Sequence, residues 1–189
     1  MTDVVRRAVD ALREAGARCE PGLSDAELAR VQARWGLEFC ADHAEFLQRA
    51  LPVGPGWVDW RGDADGVVRE RLAMPVAGLL YDVSHNGFWP RSWGPRPEDS
   101  GEAEERAAVR LAAWPVLVPL YGHRYLPPGR YPSPAPVLSV VQSDVIHYGR
   151  DLLAWVEREF LGVPLPEQPA APEVPFWSRL AGGSAVCDL

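Results

Sequence analysis

The segment Leu79–Gly94, LLYDVSHNGFWPRSWG, is the stretch from which the fold of this chain is predicted. Its apolar start predicts a strand that ends at Val83. Asn86-Gly87 is typical of a tight turn after a strand, because both residues tolerate positive φ. Large aromatic side chains follow this turn, and polar groups beside aromatic rings are typical of a recognition surface. The alternative is that the rings form the core of a small sheet.

A second aromatic pair precedes this segment and is expected to join it. The run Trp57-Val58-Asp59-Trp60 predicts a short strand, because its residues alternate between two faces. We expect the recognition surface to consist of seven residues: Trp57, Trp60, His85, Asn86, Phe88, Trp89 and Trp93.

The composition predicts one domain of ordinary size. A chain of 189 residues can bury a sufficient core without disulfides or metal, and 47% hydrophobic residues is typical of a soluble protein. No apolar run has the length of a membrane span. The three cysteines are far apart in the sequence, and none forms a Cys-x-x-Cys pair. We therefore expect a cytoplasmic protein with no metal and no cofactor.

The charge limits the classes of partner. All 19 basic residues are Arg, against 26 acidic residues, so the net charge is −7. An acidic chain repels phosphate backbones, which argues against direct nucleic-acid binding and favours a basic protein partner. The absence of Lys excludes Schiff-base chemistry and the phosphate-binding lysines of nucleotide enzymes.

Three helices are predicted in the first third of the chain. Val4–Ala15 has apolar residues on one face, and Gly16 follows it. Ser24 and Glu27 match a capping box that begins a helix ending near Trp35. Asp42 is expected to cap a third helix that runs through Leu51, on which His43 is expected to be exposed.

Helices and strands then follow one another in a pattern typical of an α+β fold. The predicted elements are helices at Gly66–Met74 and Glu102–Ala113, strands at Val116–Tyr121, Val137–Val141 and Val145–Tyr148, and a helix from the capping residue Asp151 to Phe160. From Gly162 onward the chain is rich in proline and predicts an extended tail that wraps the surface. Phe176-Trp177 is expected to anchor this tail.

The histidines and acids allow an alternative function. His85 follows Asp82 by three residues, and His147 follows Asp144 by three residues. A carboxylate and an imidazole at this spacing can form an acid–base pair. A small-molecule pocket or enzyme site would combine Asp82, His85, His123, Arg124, Tyr125 and His147 within aromatic walls. The isolated positions of the histidines argue against a metal site, and no Gly-x-Ser-x-Gly motif supports a nucleophilic triad. Arg124 can clamp an anion, or it can pair internally with Asp82 or Asp144.

The segment 23–51, LSDAELARVQARWGLEFCADHAEFLQRAL, resembles the opening of the SUKH superfamily, which includes fungal cell-wall-synthesis regulators and bacterial toxin-immunity proteins. The similarity lies in Glu27, Trp35-Gly36-Leu37, Asp42 and Phe46-Leu47, and the helix from Asp151 to Phe160 resembles the end of that family. The segments HNGFW, WGPRP and HRYLP are similar to those of a bacterial branch.

The resemblance implies a single α+β domain over residues 1–161, with a central, mostly antiparallel sheet flanked by N-terminal and C-terminal helices, and a tail at residues 162–189. It also implies a non-enzymatic binding role, because immunity members sequester toxin domains. We therefore expect a protein-binding module that neutralises a basic toxin domain or scaffolds another protein partner.

Overall fold

The computed structural model describes residues 3–62, 65–164 and 173–182. Within them the helices are α1 (Asp3–Glu14), α2 (Asp25–Trp35), α3 (Ala41–Arg49), α4 (Asp65–His85), α5 (Ser100–Leu111), α6 (Leu152–Leu161) and α7 (Trp177–Ala181). The strands are β1 (Cys19–Glu20), β2 (Leu51–Pro52), β3 (Val118–Tyr121), β4 (Arg124–Leu126), β5 (Val137–Val141) and β6 (Asp144–Gly149). None of the described helices is both long and apolar enough to cross a membrane.

The strands form two antiparallel sheets. β1 and β2 pair as a short ribbon, and β3-β4-β5-β6 pair in sequence order as a four-stranded meander. The predicted α+β fold with a central antiparallel sheet and flanking helices is therefore confirmed. β4 and the β1–β2 ribbon were not predicted, because two or three residues are too few to show a period.

The meander is buried on both of its faces except at the end of the β5–β6 hairpin, where Val141 and Ile146 are 50% and 39% exposed. Neighbouring residues of β4 alternate, so that Leu126 packs into one core while Tyr125 packs into another. The first core also holds α1, α2, α3, α6 and, through Val68, the start of α4, and the second holds the rest of α4, α5 and α7. The sheet is thus the middle of three layers.

The helices of the first core form where the sequence predicts them. Val5, Ala8, Val9 and Leu12 of α1 are buried, and α1 packs against α3 and α6. Ser24 and Glu27 form the predicted capping box at the start of α2, and Gly36 ends that helix in the left-handed conformation. Asp151 caps α6 by accepting a hydrogen bond from the Ala154 N–H.

The predicted strand at Leu79–Val83 is wrong, because these residues belong to α4. Leu79 and Val83 lie one helical turn apart and are both buried in the second core. Pro75 lies inside the same helix, which continues to His85, beyond the end at Met74 that the sequence predicts. Gly87 (φ 73°) follows the helix, and the N–H groups of Asn86 and Phe88 both donate to the Asp82 carbonyl. Asn86-Gly87 therefore ends a helix and does not join two strands.

Two further local predictions are also wrong. Trp57–Trp60 does not form a strand, since only Trp57 bridges to Tyr121. Asp42 does not cap α3, because Cys40 is the N-cap residue and Asp42 points into the structure. The Asp42 carboxylate accepts hydrogen bonds from Ser133 Oγ at 2.6 Å and from the Ala135 N–H at 2.7 Å.

The described part of the C-terminal segment packs against the second core. The Trp177 side chain has no exposed surface, and its Nε1 donates a hydrogen bond to the Pro115 carbonyl at 2.8 Å. This position agrees with the expected anchor at Phe176-Trp177. The rest of the predicted wrapping tail, residues 165–172 and 183–189, lies outside the described residues, and the boundary at residue 161 stays a prediction.

Asp42→Ala should lower the free energy of unfolding by about 2–4 kcal/mol, because it leaves the buried Ala135 N–H without an acceptor. Urea unfolding followed by circular dichroism measures this change. Asp144→Ala is the matched control, since Asp144 is exposed and should change stability by less than about 0.5 kcal/mol. Equal effects of the two substitutions would contradict the assigned role of Asp42.

Candidate functional site

The aromatic side chains expected at the recognition surface lie mainly in the two cores. Trp60, Phe88 and Trp93 are each less than a tenth exposed. Trp57 is half-buried and stacks on Phe160 at 5.8 Å between ring centroids. Trp89 is also half-buried, and its Nε1 donates to the Gly94 carbonyl at 2.8 Å. The open aromatic surface that the sequence predicts is therefore not formed, because these rings cover the sheet and its flanking helices.

Asp82 and His85 do not form the acid–base pair that their spacing allows. Asp82 is buried and accepts hydrogen bonds from Asn86 Nδ2 at 2.5 Å and from the Ser143 N–H at 2.8 Å. Burial acts to raise the pKa of Asp82, but these hydrogen bonds hold it below its ordinary value. His85 is exposed, and its ring stacks on Tyr81 at 4.1 Å. Asp82 therefore joins α4 to the β5–β6 turn.

The other two predicted site histidines have separate surroundings. His123 is exposed and His147 is half-buried, and burial lowers the pKa of each. His147 Nδ1 has no hydrogen-bond partner, and Asp144 is not bonded to it. Within the described ranges no hydrogen bond joins any two of His85, His123 and His147, and no group of three or more His, Cys, Asp or Glu can hold a metal ion.

Arg124 forms an internal ion pair with a partner that the sequence did not indicate. Its Nε donates to Glu159 Oε2 at 2.9 Å and its Nη1 to Ser139 Oγ at 3.0 Å, so it binds neither Asp82 nor Asp144. Its guanidinium carbon lies 3.6 Å from the centroid of the Tyr148 ring. These contacts fix α6 to the sheet.

Tyr125, the other candidate in this segment, faces the second core. Its side chain has no exposed surface, and its hydroxyl donates to the Arg71 carbonyl at 3.3 Å. Burial raises the pKa of Tyr125 to about 12, so the phenol stays neutral. Tyr125 is therefore a packing residue of the central sheet.

His43 is fully buried, so its expected exposure is wrong. Its ring lies edge-on to Phe39 at 4.8 Å, and neither ring nitrogen has a hydrogen-bond partner. Burial lowers the pKa of His43 to about 3. The signal was present in the sequence, because His43 precedes Phe46, Leu47 and Ala50 at helical spacing on the buried side of α3.

The exposed side of α4 differs from an ordinary exposed helix surface, which carries charged and polar side chains. Residues 72–81, LAMPVAGLLY, contain no charged side chain. Val67, Met74 and Tyr81, spaced seven residues apart, are 52%, 42% and 49% exposed on one side of the helix, and the exposed Glu70 lies between Val67 and Met74. Ala73 and Ala77 are also exposed. We call the five exposed residues Val67, Ala73, Met74, Ala77 and Tyr81 the α4 face. A helix that is apolar on every side is normally buried on every side.

An apolar groove and an acidic segment border the α4 face. The groove has a volume of about 390 Å³, with Val116 at its rim and Leu117 and Trp177 in its wall. Near the other end of α4, Ser84 Oγ donates to Glu104 Oε2 of α5 at 2.7 Å. The exposed acids in this part of the chain are Glu98, Asp99, Glu102, Glu104 and Glu105. The uncharged run 72–81 was the signal in the sequence that could have identified this surface.

The buried His43 should make stability depend on pH. Its pKa is about 3 in the folded protein and close to 6.5 in the unfolded chain, so the unfolded chain binds more protons in this range. The contribution of the neutral His43 to the free energy of unfolding is therefore complete above pH 6.5. It is lost as the pH falls toward 3, by up to about 1.4 kcal/mol per pH unit.

His43→Leu removes this titration. As the pH falls from 6.5 to 4.5, the free energy of unfolding of the variant minus that of the native protein should therefore increase by about 2–3 kcal/mol. Urea unfolding at a series of pH values measures it. Cys40→Ala is the control, because it alters the same core without removing an imidazole. Parallel pH profiles for the native protein and His43→Leu would contradict the prediction.

Comparisons with known proteins found no match to the chain among family models, curated proteins or solved structures.

Proposed function

We propose that this chain is a non-enzymatic, cytoplasmic protein-binding module of the immunity type, which binds and neutralises a basic toxin domain through the α4 face. The observation that carries this proposal is the exposure of an uncharged, apolar stretch of α4. The resemblance to SUKH immunity proteins supports the role, and the acidic border supports the choice of partner.

The α4 face has the composition expected at the centre of a protein interface. Aromatic residues and Met are enriched in interface centres, and Tyr81 and Met74 are both about half exposed. An exposed apolar patch of this kind costs free energy in water unless a partner covers it. Tyr81 and Met74 are therefore the residues expected to contribute most to binding.

The charges around the α4 face favour a basic partner. Five exposed acids lie just before α5 and in its first two turns, and a hydrogen bond from Ser84 joins one of them, Glu104, to the end of α4. Opposite charges at the border of an interface increase the association rate and reject partners of the wrong sign. A net charge of −7 adds to this steering.

The alternative function, an acid–base site on a small molecule, is not proposed. Asp82 binds Asn86 and Ser143, Arg124 binds Glu159 and Ser139, and His85 stacks on Tyr81. Asp82 and His85 on α4 and Arg124 on β4 are thus engaged in separate structural contacts.

The test uses the full chain as immobilised bait in a lysate of its host, with captured proteins identified by mass spectrometry and the strongest partner then purified. We expect a basic protein whose dissociation constant rises at least tenfold with Tyr81→Ala or Met74→Asp. Val109→Asp is the matched control, because Val109 is 76% exposed on α5 and lies outside the α4 face. Thermal unfolding confirms that each variant is folded.

Kinetics and growth provide the second readout. Glu104→Gln together with Glu105→Gln should slow association and weaken its salt dependence, with little change in the dissociation rate. Coexpression of the native chain should prevent the growth arrest caused by the partner, whereas coexpression of Tyr81→Ala should not.

Three results would contradict the proposal. The first is a partner that is acidic, and the second is a partner whose binding is unchanged by Tyr81→Ala. The third is a concentration-dependent dimer in sedimentation experiments that Met74→Asp abolishes, which would assign the α4 face to a second copy of this chain.

A further inference from the structure

A second cavity lies between α5, α7 and the short segment Arg91–Trp93, away from the α4 face. Its volume is about 390 Å³, which is within the range of small-molecule sites. Its apolar wall consists of Trp93, Trp114 and Phe176. Trp93 and Trp114 are less than a tenth exposed, so their rings are held firmly by the second core.

Two rings of the aromatic wall stack on each other, and one of them, Phe176, is held in an unusual backbone conformation. The Trp114 and Phe176 rings are parallel within 9°, with centroids 5.3 Å apart. Phe176 has φ 69°, a left-handed conformation that side chains other than glycine rarely adopt. Such strained residues cluster at ligand-binding sites, where the surrounding structure holds them in place.

Two arginines complete the lining, and none of the described residues that line the cavity is acidic. Arg110 Nη2 donates to the Trp93 carbonyl at 3.0 Å, which fixes its guanidinium beside the aromatic wall. Arg179 is exposed on α7 at the same cavity. Neither Arg110 nor Arg179 forms an ion pair within residues 3–62, 65–164 and 173–182, although acids outnumber arginines in the chain.

We infer that this cavity binds a flat aromatic carboxylate. The ring of the ligand would lie in the apolar part of the cavity, which Trp93, Trp114 and Phe176 line, and its carboxylate would accept hydrogen bonds from Arg110 and Arg179. Guanidinium groups present parallel N–H donors that match the two oxygens of a carboxylate. The inference is independent of the proposed function, because none of these residues belongs to the α4 face.

The test compares naphthalene-2-carboxylate with its neutral amide, naphthalene-2-carboxamide, by titration calorimetry on the full chain at low salt. We expect saturable binding of the carboxylate, at least about tenfold tighter than binding of the amide. Arg179→Gln should weaken carboxylate binding by about tenfold and leave amide binding unchanged. Arg106→Gln is the matched control, because exposed Arg106 is paired with Glu102 outside the cavity.

Ala113→Phe tests the location of the site. Ala113 is exposed and lines the cavity, so a larger side chain there fills it without disturbing the core. This variant should bind neither probe while it keeps the thermal unfolding midpoint of the native protein.

Several results would overturn the inference. They are no saturable binding of the carboxylate, equal affinity for the carboxylate and the amide, a carboxylate affinity that Arg179→Gln leaves unchanged, and binding that survives Ala113→Phe. None of these results bears on the α4 face, so the two proposals fail separately.

Discussion

The structure depends on covering both faces of a small four-stranded sheet. β3, β4, β5 and β6 present apolar side chains alternately to the two sides, so water must be excluded from both. The helices α1, α2, α3 and α6 cover one side, and α4, α5 and α7 cover the other. Because both faces of the sheet are covered in this way, many aromatic residues serve to pack the two cores. Trp155, Trp177 and Tyr125 are among the largest side chains with no exposed surface.

Buried polar groups then connect the layers at defined points. Asp42 joins α3 to the loop before β5 through Ser133 and Ala135, and Asp82 joins α4 to the turn between β5 and β6. Arg124 joins β4 to Glu159 on α6. Each of these side chains is largely removed from water and has its partners in place, which is the condition under which buried polar groups specify one arrangement. The residues whose chemistry suggested a site therefore hold the fold together.

The sequence predicted the fold class and most helices because those signals are local. The capping box at Ser24, the apolar stripe of α1 and the cap at Asp151 each depend on residues within one or two turns. The strand predicted at Leu79–Val83 failed because a short apolar run has no distinct period, and the α4 partners that decide it lie on α5 and the sheet. The predicted aromatic surface is not formed for a similar reason. Exposure depends on tertiary packing, so the sequence alone does not show that Trp93 is buried while Tyr81 is exposed.

The position of Trp177 also has a consequence for synthesis. Every strand of the meander and the helices α4 and α5 precede it in the chain, yet Trp177 and Leu180 complete the core that these elements share. When residues 1–164 have been synthesised, the whole sheet is present, but the second core still lacks three buried side chains, Val174, Trp177 and Leu180. That face of the nascent chain thus stays open to water until α7 emerges, so the first core can close before the second.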